Sequence, residues 1–138
     1  MKVELPFVAE PALEKSVYRP VVTARVNYES ATIVAQFLVD SGADFSILRK
    51  DVAQALGMPL SGGERREIHG INRVAVKCYA RKVFLSMPVF ERPFESIVYI
   101  SKDLQPLYNL LGRDNFFIQY RVGFDQKERK LLLDDRQP

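Results

Sequence analysis

Cysteine and histidine each occur once in the 138 residues, and that scarcity excludes several chemistries. Cys78 has no partner for an intrachain disulfide. One Cys and one His cannot assemble a four-ligand structural zinc site, or a three-histidine catalytic one, within a single chain. No metal and no other cofactor is expected. Long apolar runs are missing too: no stretch approaches the roughly 18 residues of a membrane span, and MKVELPFVAEP sets Glu4, Pro6 and Glu10 where a signal peptide needs an apolar core. The expectation is a soluble, cytoplasmic protein with no membrane contact, and a lone thiol agrees with a reducing compartment. Concentrated positive charge is also lacking, because net charge is +3 and no basic run exceeds a dipeptide such as Arg65-Arg66. Nucleic acid is accordingly not expected as a partner.

What is present is ordinary globular composition, 47% hydrophobic and 27% charged, without internal repeats or Gly/Ser/Pro-rich linkers. One domain is expected over residues 17–138. It is preceded by an N-terminal segment, residues 1–16, in which Pro6 and Pro11 interrupt any regular element. From Tyr18 the text reads as strands. Val22, Ala24 and Val26 alternate with Thr23, Arg25 and Asn27, and a turn at Tyr28-Glu29-Ser30 leads into an antiparallel partner, Thr32 to Val39. Arg49 to Leu56 has room for two helical turns, stopped by Gly57 and Pro59. Glu64 to Ile68 and Val74 to Ala80 flank His69-Gly70-Ile71-Asn72 as a hairpin tipped near Gly70. Further strands are expected at Lys82 to Met87 and Phe94 to Ile100, a short helix at Asn115 to Tyr120, and a closing hairpin of Arg121 to Phe124 with Lys130 to Leu133. This is a mostly β fold, a small closed barrel or sandwich with one or two short helices.

The densest chemical signal is Phe37-Leu38-Val39-Asp40-Ser41-Gly42-Ala43-Asp44, where an apolar strand delivers a carboxylate, a hydroxyl and a glycine as it leaves the sheet. Gly42 permits unusual dihedrals and close approach in a tight loop, and Ser41 can hydrogen-bond neighbouring main chain from a buried position. Asp40, just behind three apolar residues, is expected at the edge of a low-dielectric site. Taken alone, Asp-Ser-Gly is also a common and chemically empty turn. Three companions distinguish it here: a second apolar-apolar-Gly element at Leu110-Leu111-Gly112 followed by Arg113-Asp114, a glycine-tipped hairpin between the two, and Asp44 placed where it can pair with Arg113.

From roughly Thr32 to Leu133 this combination resembles the retropepsin-like aspartic proteases, the single-domain family of retroviral proteases and their cellular relatives. The resemblance implies a homodimer of small β-barrels in which Asp40 is the catalytic aspartate and Ser41 hydrogen-bonds across the dimer. It implies that the Gly42 carbonyl accepts a substrate N–H, and that Asp44 binds substrate backbone while pairing with Arg113. His69, Gly70 and Ile71 fall in a flap that touches substrate, and Ala43, Gly112, Arg113 and Asp114 support the catalytic loop. The stretch between Asp40 and Gly70 is longer than a minimal retroviral chain uses, which fits a cellular relative. The chain holds one D-[ST]-G motif, while aspartic proteolysis needs two carboxylates sharing a proton, so a two-fold homodimer has to supply the second Asp40. The implied partners are a second copy of the chain and an extended peptide or protein substrate. By the same resemblance, the segment around Val3 to Val8 and the strand Lys130 to Leu133 are candidate interface strands.

Other readings are weaker in the residues themselves. A Cys78–His69 thiol pair lacks any helix N-terminus or nucleophile elbow beside Cys78, whose strand alternation suits a small core residue. A serine hydrolase finds no G-x-S-x-G. A barrel for single-stranded nucleic acid needs aromatics alternating along a basic groove, and here they are dispersed. The alternative of substance is a catalytically silent dimer of the same fold, a peptide-binding scaffold or regulatory pseudoprotease. A scaffold has no need of an intact Asp40-Ser41-Gly42.

Overall fold

The computed structural model describes residues 1–11, 16–69, 74–90, 92–103 and 106–135. Alternation produces strands as expected. In β4 (Val21–Tyr28) Val22, Ala24 and Val26 are buried while Thr23 and Arg25 face solvent. β5 (Ala31–Val39) runs antiparallel to it, with Ala31 opposite Tyr28. The tight turn between them holds Glu29 at φ 51°, the left-handed value that a two-residue hairpin turn requires at its first position.

With β6 (Ser46–Ile47), β8 (Ala75–Ser86), β9 (Phe94–Ile100) and β10 (Asn109–Leu111), these strands form a ring in the order β4, β5, β10, β6, β9, β8. The ring closes where Phe84–Ser86 of β8 meet Arg25–Asn27 of β4, giving a closed six-stranded barrel. β7 (Arg65–His69) lies outside the ring. It pairs with Ala75–Tyr79 of β8, so one edge of β8 serves β7 first and β4 afterwards.

The sequence reading splits β8 into two strands at Arg81, and the structure joins them. A charged residue breaks the apolar pattern, yet Arg81 is only 9% exposed. Its guanidinium donates to the carbonyls of Pro59, Ser61, Gly62 and Ala80 at 2.8–3.0 Å. The strand therefore continues through a buried cation whose charge is solvated by main-chain dipoles, as burial of a charge demands.

The N-terminal segment also departs from expectation, since prolines do not keep it irregular. β1 (Lys2–Pro6) and β2 (Val8–Glu10) both form. β1 is the edge of a three-stranded sheet, β1-β12-β11, in which β11 is Arg121–Asp125 and β12 is Lys130–Asp134. Pro6 ends that edge strand, where a missing N–H is tolerated. Phe7 is buried in the core, and its N–H reaches Arg129 O at 2.8 Å. β2 pairs with β3 (Val17–Arg19), and Glu10 accepts from Arg19 Nε at 2.6 Å and Tyr108 Oη at 2.9 Å. Those two bonds hold the Glu10 carboxyl below its usual range.

Two short helices complete the chain. α1 (Lys50–Ala55) ends at Gly57, whose φ of 75° lets Gly57 N–H and Met58 N–H bond back to Gln54 O and Ala53 O. α2 (Phe116–Gln119) sets Phe116 against Tyr120, which also meets Phe90 and Phe94 with ring centroids 4.9–5.8 Å apart. The core runs from Phe37, Val26 and Leu85 through Leu48, Val98 and Leu111 to Phe116, Leu131 and Leu133, all at most 1% exposed. No helix among the described residues is long and apolar enough to cross a membrane.

Arg81→Met keeps the bulk of the buried stem and removes the donors that gather the 59–62 carbonyls. It is expected to lower stability by about 2 kcal/mol. Urea denaturation should show a lower midpoint with an unchanged slope.

Candidate active site

The site begins where β5 runs out. Phe37 and Val39 are buried, and the next N–H, that of Asp40, donates to Leu111 O at 3.0 Å. β10 lies parallel to β5 with Leu111 opposite Val39, and antiparallel to β6 with Leu110 opposite Ile47. The chain therefore leaves β5, loops through residues 40–45 and returns as β6 on the other side of β10. One strand threads beneath the loop.

Within the loop, Asp40 Oδ1 accepts the Gly42 N–H at 2.9 Å, and Ala43 N–H closes a turn onto Asp40 O at 3.2 Å. Gly42 has no left-handed φ. It leaves room for the carboxylate instead: a Cβ there would stand 3.2 Å from Asp40 Oδ1, so any side chain would require that oxygen to shift by a few tenths of an ångström. Beneath, three successive amides donate upward: Gly112 N–H to Ser46 Oγ at 3.1 Å, Arg113 N–H to Ala43 O at 2.9 Å, and Asp114 N–H to Asp44 O at 2.9 Å. Gly112 permits this approach, since a Cβ at that position would lie 2.4 Å from Phe45 O and 2.9 Å from Ala43 O. The expected ion pair forms as well, with Arg113 Nη2 donating to Asp44 Oδ1. Both side chains are largely exposed, 59% and 64%, so the pair orients the loop more than it stabilises the fold.

Above the loop is a cleft of about 560 Å³. Asp40, Gly42, Ala43 and Asp44 line it on one side, and Glu67, Ile68 and His69 of β7 on the other, with Ile47, Val76 and Leu110 as apolar lining. Sequence-predicted residues thus meet across one space: Asp40 is half-buried at its edge and His69 faces it from the hairpin. Gly70 and Ile71 lie outside the described residues. Ser41 is exposed at the tip of the loop and is not among the lining residues, contrary to the expected buried position. The cause is geometric: Gly42 N–H and Ala43 N–H both bond back to Asp40, which leaves Ser41 at the exposed tip of the turn. Asp114 contributes its amide to the loop, while its side chain is exposed.

Sequence reasoning passed over Ser46 and Phe45. Ser46 is 1% exposed and takes the Gly112 amide; a single hydroxyl inside the run Phe45 to Leu48 was the available signal. Cys78 is a core residue, as expected. Burial pushes its thiol up to about 11, and the register sets it opposite Arg66 while His69 stands opposite Ala75. Among the described residues no cluster of His, Cys, Asp and Glu suits a metal ion.

Residues 22–114 match the family described as aspartyl protease. No curated protein matches the chain. Among solved structures it is similar to a retropepsin-like aspartic protease from Rickettsia conorii, at 19% identity and a TM-score of 0.61, over 96% of this chain and 91% of that one. It is also similar to the EIAV protease complexed with the inhibitor HBY-793, at 21% identity and a TM-score of 0.52, over 75% of this chain and 88% of that one. These likenesses bear on the fold.

Two outcomes follow from the geometry. Gly112→Ala should cost about 3 kcal/mol or more, because the added methyl meets main chain that cannot yield, whereas Arg113→Ala should cost under about 1 kcal/mol; urea midpoints compare the two. Iodoacetamide at pH 8 should leave Cys78 of the native protein unmodified and alkylate it once urea unfolds the chain, because a buried, protonated thiol is a poor nucleophile. Mass spectrometry reads both states.

Proposed function

The chain belongs to the aspartyl protease family, which its residues 22–114 match, and from that premise we propose that it is an endopeptidase in which the Asp40 carboxylates of two copies share one active site. The observation that carries the reading is Asp40 itself: one such residue per chain, its carboxylate accepting the Gly42 amide and its own backbone N–H donating to the Leu111 carbonyl, in the lining of a cleft of about 560 Å³. Like charges brought this close disfavour the doubly ionised form, so the working dyad is the one that shares a single proton between its two carboxylates. The ionised member takes a proton from water as that water attacks the peptide carbonyl carbon. The protonated member gives its proton to the carbonyl oxygen, forming a neutral diol. Collapse of the diol returns a proton to a carboxylate, delivers one to the leaving nitrogen and breaks the C–N bond.

Exposure of Ser41 supports the dimer, because a polar group at the loop tip that solvent reaches in its own barrel is placed to meet the other copy. The Gly42 carbonyl and Asp44 suit the main chain of a bound peptide, and the hairpin carrying His69, Gly70 and Ile71 suits its opposite side. Ala43, Gly112, Arg113 and Asp114 serve as support. The apolar lining, Ile47, Val76 and Leu110, suits apolar side chains. For the interface we propose the terminal sheet, where β1 offers an unpaired outer edge to a second copy. Strand addition there aligns two loops about a two-fold axis.

Asp40→Asn is expected to abolish cleavage of a peptide library while sedimentation still shows the wild-type dimer, since the amide keeps shape but cannot act as base. Specific activity of the wild type should rise with enzyme concentration and then plateau as monomers pair. Substantial turnover by Asp40→Asn, or specific activity independent of concentration in a monomeric protein, removes the shared-carboxylate reading.

A further inference from the structure

The β7–β8 hairpin raises a mechanical question. Within the sheet β7 has a single neighbour, the first half of β8, so the hairpin stands off the barrel as a two-stranded ribbon. A ribbon of that kind is marginally stable alone and needs something to set its height over the cleft. One side chain does this. The Arg66 guanidinium carbon lies 4.5 Å from the centroid of the Phe45 ring and 5.7 Å from that of Tyr99, and Arg66 Nε donates to Tyr99 Oη at 3.2 Å. The two rings meet edge to face, with centroids 5.2 Å apart and planes at 65°. Phe45 directly follows Asp44 and lines the cleft, while Tyr99 is 5% exposed on β9 opposite Ile47 of β6. The contact therefore ties together the ribbon, the Asp40 loop and the barrel wall. Among the described residues Arg66 has no carboxylate partner, so its charge is directed at the rings.

We infer that Arg66 is a positioning residue: stacked on Phe45 and bonded to Tyr99, it latches the root of the ribbon to the loop that carries Asp40. The part of the ribbon that moves when a peptide enters then starts beyond Arg66, at Glu67 to His69, and the latch sets the height at which those residues meet the substrate. The kinetic consequence rests on the endopeptidase reading. The mechanical one does not.

Hydrogen exchange measured on the free protein tests the latch directly. Arg66→Ala should speed exchange of the Arg65–His69 and Ala75–Tyr79 amides about 10-fold relative to the barrel strands. Arg66→Lys, which keeps the cation but loses the planar fork, should fall between that variant and wild type. Phe45→Leu should match Arg66→Ala, and the double variant should add little to either, as for two halves of one contact. In peptide cleavage Arg66→Ala should raise KM several-fold with kcat nearly unchanged. Wild-type exchange rates in Arg66→Ala, or effects of Arg66→Ala and Phe45→Leu that simply multiply, overturn the latch. If the wild type cleaves no peptide, the endopeptidase reading fails while the exchange comparison still decides the inference.

Discussion

Three consecutive backbone amides, those of Gly112, Arg113 and Asp114, hold the loop on which Asp40 rides, and they can do so only because position 112 has no side chain. Every other feature of the site depends on that approach. It fixes where β5 stops and β6 resumes, it brings Asp44 within reach of Arg113, and it leaves the Asp40 carboxylate to be oriented by Gly42. Two of the three bonds, to Ala43 O and Asp44 O, join main chain to main chain and leave no rotamer to exchange; the third ends on the buried Ser46 hydroxyl. The loop is thereby held in one geometry before any substrate arrives, which is what a group poised for proton transfer requires.

The barrel and the hairpin over the cleft are built from the same strand. β8 spends its first five residues beside β7 and its last three beside β4, so closing the barrel also supports the hairpin. Arg81 sits between these two uses. By drawing in the carbonyls of Pro59, Ser61 and Gly62 it anchors the chain just before β7, with Gly62 and Gly63 at φ 90° and 84° making the turn. The hairpin is thus held behind its root by Arg81 and at its root by Arg66. What lies past both is what can respond to a ligand.

Local patterns made much of this legible in the sequence. The Asp40-to-Asp44 loop and the second apolar-apolar-Gly element follow from residues whose roles are stated by their immediate neighbours, and the Asp44–Arg113 pair, 69 positions apart, became legible only once those two elements were set side by side. Alternation similarly located β4, the turn after it gave β5, apolar runs and turns gave β9, β11 and β12, and Gly57 ended α1. The parts that were not legible are contacts between distant positions. Ser46 looked like one polar residue in an apolar run until Gly112 came beneath it. Arg66 was half of a basic dipeptide with no stated role until the fold put it over Phe45. Pro6 suggested irregular chain because its strand has an open edge, a property no local pattern carries. Arg81 divided a strand on paper for the same reason: its carbonyl partners precede it by up to 22 residues.

The register of the terminal sheet pairs Lys2 with Asp134, and the Asp40 loop is held by residues 112–114. During synthesis, then, a ribosome-bound chain carries its aspartate long before it carries the strand that positions it. β1 must wait for β12, more than a hundred residues later in the chain. Topology of this kind folds slowly, because distant segments have to meet before any of them is rewarded. The delay has a consequence for the loop itself: a nascent chain that stops short of residue 112 lacks the amides that hold Ala43, Asp44 and Ser46 in place.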